Sequence, residues 1–233
     1  EKLFISYPKL HEYYNKNIAL GIDINDSLLF IRLIILLKEE FIKEEYTKAE
    51  NFNKKDINNN IIISNILTKI VSLIDRAYCI VIQFNKECWI IRDKYGVRPL
   101  VYGLSKNNKS IIIASENCCF NDNYRFIGDF KPGNIIKIDY ETLKIKLMFI
   151  KSSSIKKYCI FEYFYFMRKE TKVNNISVLE FREKIGKLLL EELKKKDKLY
   201  KSLVKNNSNI VVCGIPESGI VQAQSFAKEL NVT

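Results

Sequence analysis

The sequence predicts an α+β protein, and three observations carry the prediction. Helical spacing of apolar residues dominates the first third of the chain, up to Asp75. From Tyr78 to Ile150 the pattern changes to short apolar runs separated by polar turns, as in antiparallel hairpins. After Ser177 come a helix signal, an unbroken apolar run and a glycine-containing loop, the order of an α/β unit.

Taken in order, Tyr7 to Lys16 reads as a short surface helix, with Leu10 and Tyr14 one turn apart. His11 is the only histidine and has no cysteine near it in sequence, so a structural role is expected rather than metal binding. Asp26-Ser27 is expected to cap an apolar helix over residues 28–37, because a carboxylate there accepts orphan N–H groups and favours the helix dipole. Residues 38–60 are charged and Asn/Lys-rich without apolar period, and read as a solvated insertion or flexible loop. Ile61 to Asp75 resumes a helical pattern through Ile62, Ile66, Ile70 and Leu73.

The strand region opens with Tyr78 to Phe84 and Cys88 to Ile91, joined by a hairpin turn at Asn85-Lys86. A second hairpin joins Leu100–Leu104 to Ser110–Ser115, and strands over Ile135–Asp139 and Leu143–Ile150 follow the turn at Lys131-Pro-Gly-Asn134. Lys151 to Lys157 reads as a linker, dividing the chain into domains 1–150 and 151–233. Cys159 to Phe166, dense in aromatics, reads as a core strand at a domain interface. Ser177 begins a capping box with Glu180, and Val178, Phe181, Ile185, Leu188 and Leu189 share one helical face. Asn209 to Pro216 has the continuous apolar character of a strand covered on both sides, and leads through Glu217-Ser-Gly219 into a helix from Ile220 to Leu230.

Composition narrows the function classes. Lys and Arg outnumber Asp and Glu by 38 to 27, a formal charge of +11, but the excess is nearly all lysine and travels with abundant Ile and Asn. That is compositional drift rather than a basic face, and no aromatic-plus-basic module accompanies it, so a nucleic-acid partner is not expected. No apolar run approaches the roughly 18 residues that cross a bilayer, so no membrane partner is expected. Six cysteines without paired spacing point to a reduced, cytoplasmic setting. Cys79, Cys88, Cys118, Cys119 and Cys213 are each expected to act as small apolar packing residues.

The stretch with most chemical character runs Arg92-Asp-Lys-Tyr-Gly-Val-Arg-Pro-Leu100: a charged turn, a glycine able to take positive φ, and a proline that stiffens the exit. Read alone, it is a hairpin corner. Three further stretches follow it: Ala114-Ser-Glu-Asn-Cys118, Cys159-Ile-Phe-Glu-Tyr-Phe-Tyr-Phe166 and Ile215-Pro-Glu-Ser-Gly219. Together they resemble the glutamine phosphoribosylpyrophosphate amidotransferase family, whose patterns are R-D-P-x-G-x-R-P-L, A-S-E-[ST]-C, C-x-F-E-Y-x-Y-F-A-R-P-D-S and P-[DE]-S.

The resemblance implies an N-terminal-nucleophile glutaminase sandwich over 1–150 and the opening of a phosphoribosyltransferase domain over 151–233. It implies transfer of ammonia from glutamine to phosphoribosylpyrophosphate (PRPP), the first step of purine synthesis. Asp26, in Asn25-Asp-Ser27, matches the family's Asp that holds the glutamine α-amino group, although Leu28 stands where the family has Glu. Glu217, Ser218 and Gly219 match the pyrophosphate loop of a substrate taken with Mg²⁺, and the Glu217 carboxylate would repel phosphate unless Mg²⁺ or a ribose hydroxyl intervened. Cys159 matches a [4Fe–4S] ligand of one branch of the family; as a residue it reads equally as a small apolar side chain packed between domains. A homotetramer is implied.

Departures are also expected to matter. The family's oxyanion triplet Asn-Gly-Asn is replaced by Phe4-Ile5-Ser6. Its nucleophilic Cys, its carboxylate-clamping Arg and its V-D-D-S-I-V-R-G-T-T loop are not in these residues, so the chain is expected to be a catalytically incomplete fragment, with Arg98 serving the domain structure. The competing expectation is a non-catalytic glutaminase-like module that binds a partner.

Overall fold

The computed structural model describes residues 2–48, 59–84, 86–150, 155–205 and 210–232. They form two units, Glu1–Gly96 with Lys131–Lys156, and Val97–Phe130 with Lys157–Thr233. Elements are numbered along the chain.

The first unit begins with α1 (Lys2–Ser6), α2 (Pro8–Ala19), α3 (Asp26–Lys48) and α4 (Asn59–Leu73). Its sheet contains β1 (Cys79–Phe84), β2 (Glu87–Arg92), β6 (Asn134–Asp139) and β7 (Ile145–Ile150), antiparallel in the order β1-β2-β6-β7. Phe84 pairs with Glu87, the register of a two-residue hairpin; Asn85 itself lies outside the described residues. Leu33, Leu36 and Leu37 of α3 and Ile62, Ile66 and Ile70 of α4 are buried with Trp89, Ile91 and Ile135 of the sheet. The helical spacing read in the sequence is thus the core face, each such side chain contributing about 1.5–3 kcal/mol on burial.

Helix α3 runs eleven residues beyond the expected apolar stretch, so residues 38–48 are helical rather than a loop. Lys and Glu are good helix formers, and this segment is not without anchors. Phe41 packs on the core, Glu40 meets Lys69 at 3.4 Å, and Lys38 lies 5.9 Å above the Phe84 ring. Residues 49–58 of the expected insertion lie outside the described residues, as do 151–154 of the expected linker.

The second unit holds a three-stranded antiparallel sheet, β4 (Ile111–Ala114), β3 (Val101–Ser105) and β5 (Tyr124–Asp129), in that order. The β3–β4 turn is set by Ser105, whose Oγ accepts from the amides of Lys109 at 3.1 Å and Ser110 at 3.0 Å. A 3-10 turn, Asn117–Cys119, follows β4. Then come a helical turn ending in Glu162–Phe166, the small hairpin β8 (Lys172–Val173) and β9 (Ile176–Ser177), and α5 (Val178–Lys195), α6 (Asp197–Lys205) and α7 (Ile220–Leu230). Ser177 is the N-cap of α5, as expected, its Oγ accepting from the Glu180 amide at 3.3 Å. Helices α5 and α7 approach closely at Gly186, where a Cβ would collide with the Gln222 carbonyl.

Two strand expectations fail here. Cys159 to Phe166 is not a strand, being helical from Ile160 onward. The turn is held by Arg182 of α5, whose Nε donates to the Tyr163 carbonyl at 2.8 Å and whose Nη2 donates to that of Met167 at 2.7 Å. Residues 210–215 are not in a strand, because no strand among the described residues lies beside them to complete a ladder. Val211 and Ile215 are 70% and 81% exposed, where a sheet covered on both faces would bury them.

Candidate functional site

The Arg92–Gly96 corner is a backbone lock in the first unit. Asp93 is fully buried, and its Oδ1 accepts from the amides of Tyr95 at 3.0 Å and Gly96 at 2.8 Å. Arg92 donates to the Gly96 carbonyl at 3.1 Å, and the Asp93 carbonyl accepts from Gly133 at 2.9 Å. Gly96 has the expected positive φ of 68°, and a Cβ there would sit 2.5 Å from Pro132. The hairpin reading of this corner fails, because the strands on its two sides do not pair: β2 belongs to the four-stranded sheet and β3 to the three-stranded one.

The second unit assembles residues from three of the quoted motifs. Arg98, two residues past the corner, pairs with the buried carboxylate of Glu162 at 2.8 Å and lies 5.6 Å over the Phe166 ring. Glu116 Oε2 accepts from the Arg168 amide at 2.8 Å and from the hydroxyl of the buried Thr171. Thr171 Oγ1 also lies 3.1 Å from Cys118 Sγ, and Asn117 Oδ1 accepts from the Lys172 amide at 3.0 Å. A hydroxyl has one proton to give, and the carboxylate is the stronger acceptor, so Thr171 donates to Glu116.

Burial pushes the Glu162 carboxyl above its ordinary range; Arg98 opposes that rise and Glu116 adds to it. A carboxyl raised in the folded state stabilises the fold below its unfolded pKa, and this is lost as pH climbs through the folded pKa. Glu162→Gln is therefore expected to leave the melting temperature at neutral pH unchanged or higher. It should also abolish the gain in stability that the parent shows as pH falls into the mildly acidic range. Melting curves at stepped pH check this; a steeper pH dependence in the variant contradicts it.

The individual site residues lie as follows. Asp26 is the first residue of α3 and exposed, but it is not the cap: Asn25 Oδ1 accepts from the Leu28 amide at 2.9 Å. The capping expectation therefore moves back one residue, which leaves the Asp26 carboxylate in solvent at the positive end of a helix. Residues 216–219 form a turn entering α7, with a cis Pro216–Glu217 peptide. The Gly219 amide donates to the Ile215 carbonyl at 2.9 Å. The loop folds back so tightly that a Cβ on Gly214 would come within 2.8 Å of the Gly219 carbonyl oxygen. Glu217 is exposed; Ser218 and Gly219 are half-buried at the edge of an apolar groove of about 750 Å³ between α5 and α7. Leu188 and Leu189 line that groove, so the far end of the expected α5 face is uncovered among the described residues.

Cys159 is half-buried, its carbonyl accepting from the Glu162 amide at 3.1 Å. Among the described residues no group of three His, Cys, Asp or Glu gathers with metal-holding geometry. His11 stacks on Phe4, ring centroids 4.8 Å apart, as a structural histidine would. Cys88 is buried and its thiol is pushed up by burial, as expected of a packing residue. The same expectation fails for Cys119 and Cys213, which are exposed, and for Cys118, which touches polar groups. The residues that sequence reasoning missed are Arg182 and Thr171. Neither lies in a charge or spacing pattern; each matters through its burial and its carbonyl or carboxylate partner.

No family model matches the chain. Among solved structures it is similar to the glutamine PRPP amidotransferase of B. subtilis complexed with ADP and GMP: TM-score 0.58, 22% identity, 95% of this chain and 42% of that one. It is similar also to a structure described as the allosteric regulatory enzyme of purine biosynthesis: TM-score 0.59, 21% identity, 97% and 41%. The fold is thus that of the N-terminal-nucleophile amidotransferases, an α+β class. In sequence the chain is 31% identical over 174 residues to the amidophosphoribosyltransferase of Methanocaldococcus jannaschii, covering 67% of this chain and 33% of the relative. It is 27% identical over 163 residues to that of Bacillus subtilis, covering 70% and 31%. The chain belongs to the amidophosphoribosyltransferase family, and spans about a third of the length of these curated relatives.

Proposed function

We propose that the chain is part of an enzyme that releases ammonia from glutamine and places it on C1 of PRPP, giving 5-phosphoribosylamine. Residues 1–150 are the glutaminase part and 151–233 the opening of the transferase part. The observation that carries this reading is the free carboxylate of Asp26 at a helix start whose cap is supplied by Asn25. A carboxylate not engaged in capping suits the ammonium of an amino-acid substrate. Glu217, Ser218 and Gly219 are the pyrophosphate loop in this reading. Amides at the start of α7 favour an anion, and the exposed Glu217 carboxylate is the oxygen ligand type that Mg²⁺ takes alongside substrate phosphates. Cys159 would be one thiolate of an iron–sulfur cluster only with three further cysteines from outside these residues, since the described residues gather no such set around it. A cytoplasmic homotetramer completes the reading. No helix among the described residues is long and apolar enough to cross a membrane, and the six cysteines are free thiols.

The full-length protein tests it. Asp26→Asn is expected to raise the glutamine KM roughly 10- to 100-fold, the worth of one hydrogen bond to a charged group. Ammonia-dependent synthesis should be unchanged, because only the glutamine site is touched. An unaltered glutamine KM would favour the second reading, a non-catalytic partner-binding module. That reading draws on α1, where Phe4 stacks on His11 in place of a polar oxyanion triplet.

A further inference from the structure

Consecutive cysteines occur once in the sequence, at Cys118-Cys119, and both lie on the 3-10 turn that follows β4. Cys119 is exposed and Cys118 half-buried, the two side by side on that turn. Cys118 Sγ also lies 3.1 Å from Thr171 Oγ1 and 3.8 Å from Glu116 Oε2. The same turn holds a segment some fifty residues away in sequence, through Glu116 to the Arg168 amide and Asn117 to the Lys172 amide. An adjacent pair of thiols therefore sits inside a joint.

We propose that Cys118 and Cys119 are a modification site, a dithiol that hydroperoxides oxidise reversibly to a vicinal disulfide, loosening the hold of the turn on residues 168–172. The proposal is independent of the enzymatic reading. The exposed Cys119 attacks the peroxide first, its thiolate sulfur taking the terminal oxygen to give a sulfenic acid while the rest leaves as water or alcohol. Cys118 sulfur then attacks Cys119 sulfur; the sulfenic hydroxide departs with the Cys118 proton as a second water. Two thiols are oxidised by two electrons and one peroxide is reduced. Burial raises the Cys118 thiol, which assigns the first attack to its neighbour.

Adjacent Cα atoms lie about 3.8 Å apart, short of the roughly 4.4–6.8 Å that disulfides normally span. A bond closed between neighbours is therefore strained and readily reduced again, which suits a labile modification rather than a staple. Its formation removes the Cys118 S–H and turns that sulfur from Thr171 toward Cys119. One support of the Glu116–Thr171 contact is then lost.

The test uses this chain, purified reduced and exposed to near-stoichiometric hydrogen peroxide, with peptide mass mapping and hydrogen exchange. Expected are a Cys118–Cys119 link, reversed by dithiothreitol, and severalfold faster exchange at the Arg168 and Lys172 amides. Cys119→Ala, an exposed change that the fold tolerates, should abolish both. Cys213, exposed but without a neighbouring thiol, is the internal comparator and should stop at a trappable sulfenic acid. The proposal is overturned if the pair stays reduced while Cys213 is oxidised. It is equally overturned if Cys119 ends as a sulfinic acid or an intermolecular disulfide, or if the link forms with exchange unchanged.

Discussion

Trp89→Ala is expected to destabilise the protein by about 3–5 kcal/mol, the largest single-residue loss in the first unit. The ring is fully buried in β2, in one cluster with residues of α3 and α4. Its Nε1 donates to Glu87 Oε2 at 3.2 Å, and Lys137, opposite it on β6, lies 5.9 Å from the ring while pairing with Glu87. Removing the ring leaves both a cavity and a half-buried ion pair without its apolar floor. Trp89→Phe should lose much less, because most of the volume remains. Urea melts of both variants check the ranking; a loss below about 1 kcal/mol for the alanine variant would show that the helices close over the gap.

Arg182→Met is expected to cost about 3 kcal/mol, since two charge-assisted hydrogen bonds disappear and the carbonyls of Tyr163 and Met167 are left without donors. Arg182→Lys should fail nearly as badly, because a single ammonium cannot reproduce the two-pronged reach of a guanidinium. Hydrogen exchange across residues 160–168 is the local readout, expected to quicken more than that of α7. Uniform quickening would mean that the whole unit had loosened instead.

The helices and most strands were legible because apolar spacing is a direct record of which face is buried. Ile62, Ile66 and Ile70 illustrate it in α4, and the Phe84–Glu87 hairpin illustrates it in the sheet. Legibility failed where long-range partners decide. Strand β5 carries Phe126 and Ile127 side by side, both partly exposed, so it shows no alternation and is defined only by its register with β3. Residues 38–48 look like a loop by composition, yet Phe41 and the Glu40–Lys69 pair extend the helix through them. Residues 210–215 have strand composition and no strand beside them. In the site, the motifs marked Arg98, Glu116 and Glu162 by resemblance. Their mutual arrangement, and the parts of Arg182 and Thr171, rest on contacts between residues far apart in sequence.

The way the two units divide the chain has a consequence for synthesis on the ribosome. Each unit is built from two separated lengths of polypeptide, and the chain passes between units after Gly96, Phe130 and Lys156. The β1–β2 hairpin and the helices that cover it emerge early, but β6 and β7 follow only after the whole of β3 to β5 has been made. During that interval β2 has an open edge whose eventual neighbour does not yet exist, a template for pairing with other nascent chains. Neither unit can be completed before translation has passed residue 156, so the order of synthesis makes their maturation interdependent.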